Sequence, residues 1–577
     1  MKIVNHLIRI VSLLVLAAGC TIIPNKIEFK QPKNIAESLL LPCSSYGQYV
    51  IAADERGNLI PLTFEPIPDK KNKCNVRFEK LPSDSRKTET KKHIQNIWEK
   101  IKKSGKKPLI FIHGGLNDYE DSVERLARDI PNINVGGQYY PVFILWPSGM
   151  DTYTDSLFHY FQGEWDRPAD TVAAPFKIIT DLMQVPSRLL SNYATSYRLA
   201  SNSTCYLETD SPFLNEASCA VNSWLAMVIS KKNVSITNSS FIANDPCIKG
   251  NEKVGFHCVD IQKDHIDEFY NRKLLQRVFL LPAKLITIPV TDPLARRAWN
   301  SMIARIRFTF RTPCPADISG AGNCESGVVY QFFKALKDYR SEDDKKITLI
   351  GHSMGSIVAG EIIREFHELP YENVVFGGAA ISIREFKNTV EATLLKKVEM
   401  ATRYSELIKD RESLKRELSL LEKTEEIKGV MARNEKAIDD LKLREERDKP
   451  FKFYNLSLHP FAEAREENLL GLIPSGSLLE WIDQIIENPA DGLDRTLGKW
   501  VNISPLLANQ DDQPEDENFD HGLLKNCYMH FSRFGLDPKQ PLKHTHFSND
   551  IDGRFKYWKP ENWMPDNKQC NVNNDVF

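Results

Sequence analysis

The sequence predicts an α/β fold, a mostly parallel sheet flanked by helices. Three observations lead there. Strand-like runs at 108–112, 141–146, 347–350, 373–381 and 451–458 alternate with helix-like stretches, the order that builds parallel strands under covering helices. Two of these runs stop at glycine-bearing turns, His113-Gly114-Gly115 and Gly351-His352-Ser353-Met354-Gly355. Of 577 residues, 42% are hydrophobic and 26% charged, ample for a packed interior.

The same composition removes function classes. A formal net charge of −2 offers no concentrated positive surface for nucleic acid. Beyond the first twenty residues no run reaches the roughly 18 apolar residues of a membrane span, which excludes a multi-span membrane protein.

The chain opens with Lys2, Arg9, an apolar stretch over 10–18 and Gly19-Cys20, the layout of a secretory signal. Leu16-Ala17-Ala18-Gly19-Cys20 resembles the lipobox of bacterial lipoproteins, the alternative being an ordinary cleaved signal. The resemblance implies a signal peptide over 1–20, acylation of Cys20 and a lipid anchor in the cell envelope. Thr21 stands where inner-membrane lipoproteins often carry Asp, which points to the outer membrane. Setting Cys20 aside from the 11 cysteines leaves Cys43, Cys74, Cys205, Cys219, Cys247, Cys258, Cys314, Cys324, Cys527 and Cys570. An even set in an oxidising compartment reads as disulfides, with neighbours along the chain expected to pair. No C-x-x-C spacing implies zinc or redox chemistry.

In chain order, 21–47 reads as a tether. Runs at 49–52 and 59–64 around Asp54-Glu55-Arg56-Gly57-Asn58 read as a hairpin, and 89–103 as a charged helix. The core then occupies 48–150, 339–392 and 450–577, with two insertions. The first, 151–338, holds Cys205 to Cys324 and several apolar helical stretches, and reads as a disulfide-braced cap. The second, 393–449, is densely charged. Met400, Tyr404, Leu407, Leu414, Leu418 and Leu421 step by three and four with Arg411 as the one defect, and Ile427, Met431, Asn434, Ile438 and Leu441 form a second phase. That is coiled-coil spacing. A phase change near Gly429 favours two arms in an antiparallel hairpin over one helix running through a stutter to pair with another molecule.

The motif Gly351-His352-Ser353-Met354-Gly355, between a strand and a helix, is the nucleophile-elbow pattern in its required context. Such a turn strains the backbone, so the residues two positions either side of the serine need to be small. It lifts the hydroxyl clear of the sheet, and the following helix N-terminus favours developing negative charge. His113-Gly114-Gly115 stands, in chain order, where the other half of an oxyanion hole is expected. His113 itself reads as a residue bonding the loop backbone rather than transferring protons.

On these motifs the chain resembles the α/β-hydrolase superfamily, on its serine esterase and lipase side. The resemblance covers about 48–150, 340–392 and 450–565 and neither insertion. It implies an α/β-hydrolase fold, oxyanion donors at Met354 and Gly115 with Leu116 next, and the chain order serine, acid, histidine. The histidine is then His544 or His546, in an aromatic-rich tail that looks like that of lipase-like relatives, with His521 a distant third. Past the run at 451–458, Glu463 is the first choice for the acid, followed by Glu466 and Glu467, and Glu385 is the only carboxylate near Ile381. Carboxylates of this kind are most often solvated surface charges.

The resulting expectation is a lipid-anchored serine hydrolase cleaving carboxylic esters. Lipids are what the resemblance implies, since His352 and Met354 stand where lipases commonly carry the same residues and a long cap suits an apolar acyl chain. Its partners would be an ester or lipid substrate, the membrane through Cys20, and a protein at 395–449. There is no H-E-x-x-H and no Walker loop, Gly320-Ala321-Gly322 does not follow a strand, and no metal or cofactor is implied. The contrasting expectation is a non-enzymatic envelope lipoprotein that uses a hydrolase-like scaffold and the coiled-coil insertion for protein interaction.

Overall fold

A computed structural model describes residues 26–30, 41–68, 73–115, 117–135, 137–149, 160–161, 164–165, 183, 256–258, 296–311, 325–338, 345–420, 425–459, 462–463, 466, 477–487, 492–508, 519–534, 540–548 and 555–564. Cys20, Leu116, Glu467, Gly320, Gly322 and most of the 151–338 insertion lie outside them.

Thirteen strands are described. β1 (Lys26–Lys30), β3 (Leu62–Pro66) and β4 (Lys73–Phe78) make a small antiparallel sheet in the order β1-β4-β3. β7 (Tyr160–Phe161) pairs antiparallel with β8 (Glu164–Trp165). The main sheet has eight strands, seven of them β2 (Val50–Ala52), β5 (Lys107–Ile112), β6 (Tyr139–Leu145), β10 (Ile347–His352), β11 (Tyr371–Gly377), β12 (Lys452–Leu458) and β13 (Met529–Phe534). Their spatial order is β2-β6-β5-β10-β11-β12-β13, and the short β9 (Phe256–Cys258) pairs alongside β13. Every pairing in this sheet is parallel. The α/β architecture is as expected, because parallel neighbours must be joined by crossovers. Helices Tyr119–Val135 and Gly355–Glu365 lie between β5 and β6 and between β10 and β11.

The strand interiors explain the sheet's place at the centre. β6 and β10 are buried at every residue, as strands covered on both faces must be. The expected charged helix runs over Ser83–Ser104 and buries Ile94, Ile97, Trp98 and Ile101, one stripe at three- and four-residue spacing.

Three expectations change. The turn at Asp54 forms, with its Oδ1 accepting the N–H groups of Arg56 and Asn58 at 2.9 and 2.7 Å. Yet the runs beside it do not make a hairpin beyond an isolated Ala53–Leu59 bridge. β2 instead pairs with β6, and β3 pairs with β4, because longer partners bury more of each run. Part of the stretch read as a tether, Lys26–Lys30, is strand β1, its Ile27 and Phe29 buried. The end of the stretch read as cap is core: Val328–Asp338 buries Val328, Val329, Phe332, Phe333 and Leu336 in the main hydrophobic cluster.

Cys43 and Cys74 form a disulfide, the first of the neighbour pairs, and Cys527 is disulfide-bonded too. The charged insertion is a pair of packed helices, Ala392–Ser419 and Glu425–Arg447. Contacts from Tyr404 to Asp448 and from Lys415 to Glu435 set the two antiparallel. The second helix is described from Glu425 on, so Gly429 lies inside it rather than at the turn. Arg411, the defect in the first seam, meets Asn434 of the second: its Nη1 donates to Asn434 Oδ1 at 3.2 Å and its carbonyl accepts from Asn434 Nδ2 at 2.9 Å. No helix among the described residues is long and apolar enough to cross a membrane.

Candidate active site

The motif glycines allow a crossing that side chains would block. A Cβ on Gly355 would stand 2.3 Å from the Ile112 carbonyl oxygen at the end of β5, so the helix Gly355–Glu365 starts in direct contact with the neighbouring strand. Between β10 and that helix, Ser353 takes φ +52°, one of two non-glycine residues with positive φ among those described. For an L-residue this region costs about 1–2 kcal/mol. Main-chain bonds hold it there. Ser353 N–H donates to the Gly377 carbonyl at 2.9 Å, and its own carbonyl accepts from Ser356 N, Ala380 N and Ser356 Oγ at 3.0, 3.1 and 2.6 Å. Strain of this kind persists only where the surroundings over-determine it.

His544 begins a short 3-10 turn, His544–Phe547, past β13 and is buried. Its N–H donates to Glu466 Oε2 at 3.1 Å, and its carbonyl accepts from His352 Nε2 at 3.1 Å. The two imidazoles lie 5.0 Å apart between centroids. Gly378, at φ +52°, leaves room for the His544 ring, since a Cβ there would stand 2.6 Å from its Cε1 and Nδ1. Burial lowers the His544 pKa to about 4 and takes that of His352 well below the usual value, so both rings are neutral at pH 7. With Nε2–H of His352 donating, its Nδ1 is the unprotonated nitrogen.

Three buried polar atoms here have no hydrogen-bond partner: Ser353 Oγ, His352 Nδ1 and His544 Nε2. Such orphans are rare in a folded interior and call for a cause. A hydroxyl can give up a proton and a neutral imidazole nitrogen can accept one.

The other expected residues fall as follows. His546 is half-buried, and its Nδ1 accepts the Leu542 N–H at 3.3 Å. His521 is exposed at the start of the helix His521–Lys525, and Glu385 is exposed in the first turn of Ile383–Phe386. Glu463 and Glu466 are both buried rather than solvated. Glu463 Oε1 accepts from Ser477 Oγ at 2.7 Å, whereas Glu466 is the carboxylate bonded to the His544 main chain. Burial raises the pKa of Glu466, which the His544 N–H partly offsets.

Gly115 lies against Met354, a Cβ on the former standing 2.4 Å from Met354 Sδ. His113 does bond the loop backbone: its Nδ1 donates to the Gly114 carbonyl at 2.7 Å and its Nε2 accepts the Trp146 N–H at 3.1 Å. The sequence reading missed the tie from His352 to the His544 loop. Its signal was a histidine immediately before the serine, a position otherwise open to most residues. Among the described residues no cluster of side chains is arranged to hold a metal ion. In comparisons with protein-family models, with curated proteins and with solved structures, nothing matches this chain.

Proposed function

We propose that the protein is a serine hydrolase of the α/β-hydrolase type that cleaves carboxylic esters through an acyl-enzyme on Ser353. The observation that carries this reading is Ser353 itself: strained at φ +52° between β10 and a helix N-terminus, with an unpartnered Oγ. The chain order agrees, with the glycine loop after β5, the serine after β10, carboxylates after β12 and the histidine after β13.

In this reading Ser353 Oγ attacks the acyl carbonyl carbon as its proton passes to His544 Nε2. The tetrahedral oxyanion is held by the N–H groups of Met354 and Gly115, each such donor being worth roughly 3 kcal/mol. Collapse breaks the ester bond, His544 returns the proton to the departing alkoxide, and water activated by the same ring releases the acid. His544 is chosen over His546 because its Nε2 is unpartnered and its loop is tied to the residue before the nucleophile. Glu466, through the His544 main chain, positions that histidine, in place of Glu463.

A fluorophosphonate probe tests the proposal. Wild type should be labelled at Ser353 and should hydrolyse a nitrophenyl ester, and Ser353→Ala should do neither while keeping its fold. Undiminished turnover in the variant would end it. The lipid anchor is proposed on the same footing: palmitate labelling should vanish in Cys20→Ser.

One observation favours the alternative of an interaction scaffold. Leu407, Leu414 and Leu443 on the helical pair are 40%, 40% and 53% exposed, more than apolar side chains on an isolated hairpin require. A scaffold of that kind leaves the probe unreacted.

A further inference from the structure

The glycine turn after β5 is held by side chains that the catalytic reading does not use. The Gly114 carbonyl accepts three hydrogen bonds: from His113 Nδ1 at 2.7 Å, Asn117 Nδ2 at 2.9 Å and Ser148 Oγ at 3.2 Å. Asn117 Nδ2 also reaches the Gly115 carbonyl at 3.1 Å. Behind it, Arg125 Nη2 donates to Asn117 Oδ1 at 3.2 Å. A guanidinium has donors only, so the atom facing it must be the amide oxygen, and the NH2 group is thereby turned toward the glycine carbonyls.

Arg125 packs in the interior, its guanidinium carbon 5.9 Å from the Phe111 ring centroid. It is buried beside Asp129, and Asp129 Oδ2 accepts the hydroxyl of Tyr557 at 2.8 Å. Tyr557 stacks on Phe111 of β5 at 4.4 Å. The His113 tautomer is fixed, because the Trp146 N–H occupies its Nε2.

A peptide unit is planar and trans, so its C=O and N–H point in opposite directions. No cis peptide occurs among the described residues. Anchoring the Gly114 carbonyl therefore aims the Gly115 N–H to the opposite side, and a glycine turn without such anchors would rotate freely. We infer that Asn117, oriented by Arg125, is a positioning residue that presets the Gly115 N–H as an oxyanion donor, an inference that rests on the serine-hydrolase reading. Gly114 and Gly115 admit the close approach, since a Cβ on Gly114 would stand 2.7 Å from Ser353 Cβ. Preset donors matter because they need no reorganisation as charge develops.

The test uses the full chain with two variants, Asn117→Ala and the isosteric Asn117→Asp, which retains an acceptor for Arg125 but loses the amide donor. With a nitrophenyl ester, kcat should fall about 10- to 100-fold, short of the loss on deleting a donor outright, with KM within about twofold. A trifluoromethyl ketone, whose serine adduct carries the oxyanion, should bind more weakly by the same factor. A residue that merely supports the fold would lower the active fraction instead and leave the inhibitor constant unchanged. Wild-type kcat in Asn117→Asp, or an unchanged inhibitor constant, overturns the inference. A wild-type protein that neither turns over ester nor takes the fluorophosphonate overturns the underlying reading and this inference with it.

Discussion

His352 donates from its ring to the main-chain oxygen of His544 at 3.1 Å, across 192 residues of sequence. The residue immediately before the elbow serine thus fastens the loop that carries the buried imidazole. Both side chains are buried, so no water competes for that bond.

His352→Ala should lower kcat of ester hydrolysis about tenfold, the worth of one buried hydrogen bond, by letting the His544 loop drift. His352→Gln, which keeps an N–H donor, should recover part of the loss. Steady-state kinetics on the two variants checks this, and equal activity in both would sever the link between the histidines and catalysis.

Ser353→Gly and Ser353→Ala should both be inactive but unequal in stability. Alanine keeps a Cβ at φ +52°, whereas glycine takes that conformation freely, so the glycine variant should be the more stable by about 1 kcal/mol. Urea midpoints decide it. A less stable glycine variant would show that the elbow is not strained.

Stability should fall on mild acidification. Burial lowers the pKa of His113 to about 3 and those of His530 and His544 to about 4, against 6.5 for the free side chain. Between those values the unfolded chain binds protons that the folded chain refuses, so stability is complete above about pH 6.5 and is lost progressively toward pH 4. At about 1.4 kcal/mol per pH unit for each group, the total is several kcal/mol. Denaturant midpoints measured from pH 7.5 to 4.5 should decline, against the opposite contribution of Asp54, Glu391 and Glu466, whose pKa values burial raises. A flat profile would mean that the rings do not outweigh those carboxylates.

In the helical pair, Asn434→Ala removes both bonds between the buried amide of Asn434 and Arg411, whose own side chain is exposed, and should cost about 1 kcal/mol locally. Proteolysis should then quicken within 400–447, while the proposed ester hydrolysis, assigned to a different part of the chain, should stay unchanged. Asn434→Leu should restore part of the resistance, because it refills the buried position while the exposed Arg411 stays hydrated.

The main sheet was legible from residues alone where runs were apolar and long. The stretches at 108–112 and 451–458 appear as β5 and β12 within about a residue at each end, because a strand buried on both faces has a single compatible composition. The elbow was legible because its glycines answer a local demand, the crossing of Gly355 on Ile112. The hairpin at Asp54 was misjudged because its turn is local but the pairing is not: β2 joins β6, some ninety residues on, which leaves β3 to pair with the next strand, β4.

By itself the sequence determined the parallel α/β layering, the glycine-flanked serine turn and the helical character of the insertion, since each follows from periodicity or residue size, and it favoured the helix pair and the Cys43–Cys74 pairing without fixing either. Only the tertiary structure decided that Glu466 rather than Glu463 bonds the His544 main chain, that Arg411 meets Asn434, and that Asn117 grips the glycine turn. Those are hydrogen bonds, whose direction depends on where distant backbone segments come to rest, and no spacing along one chain encodes an angle between two.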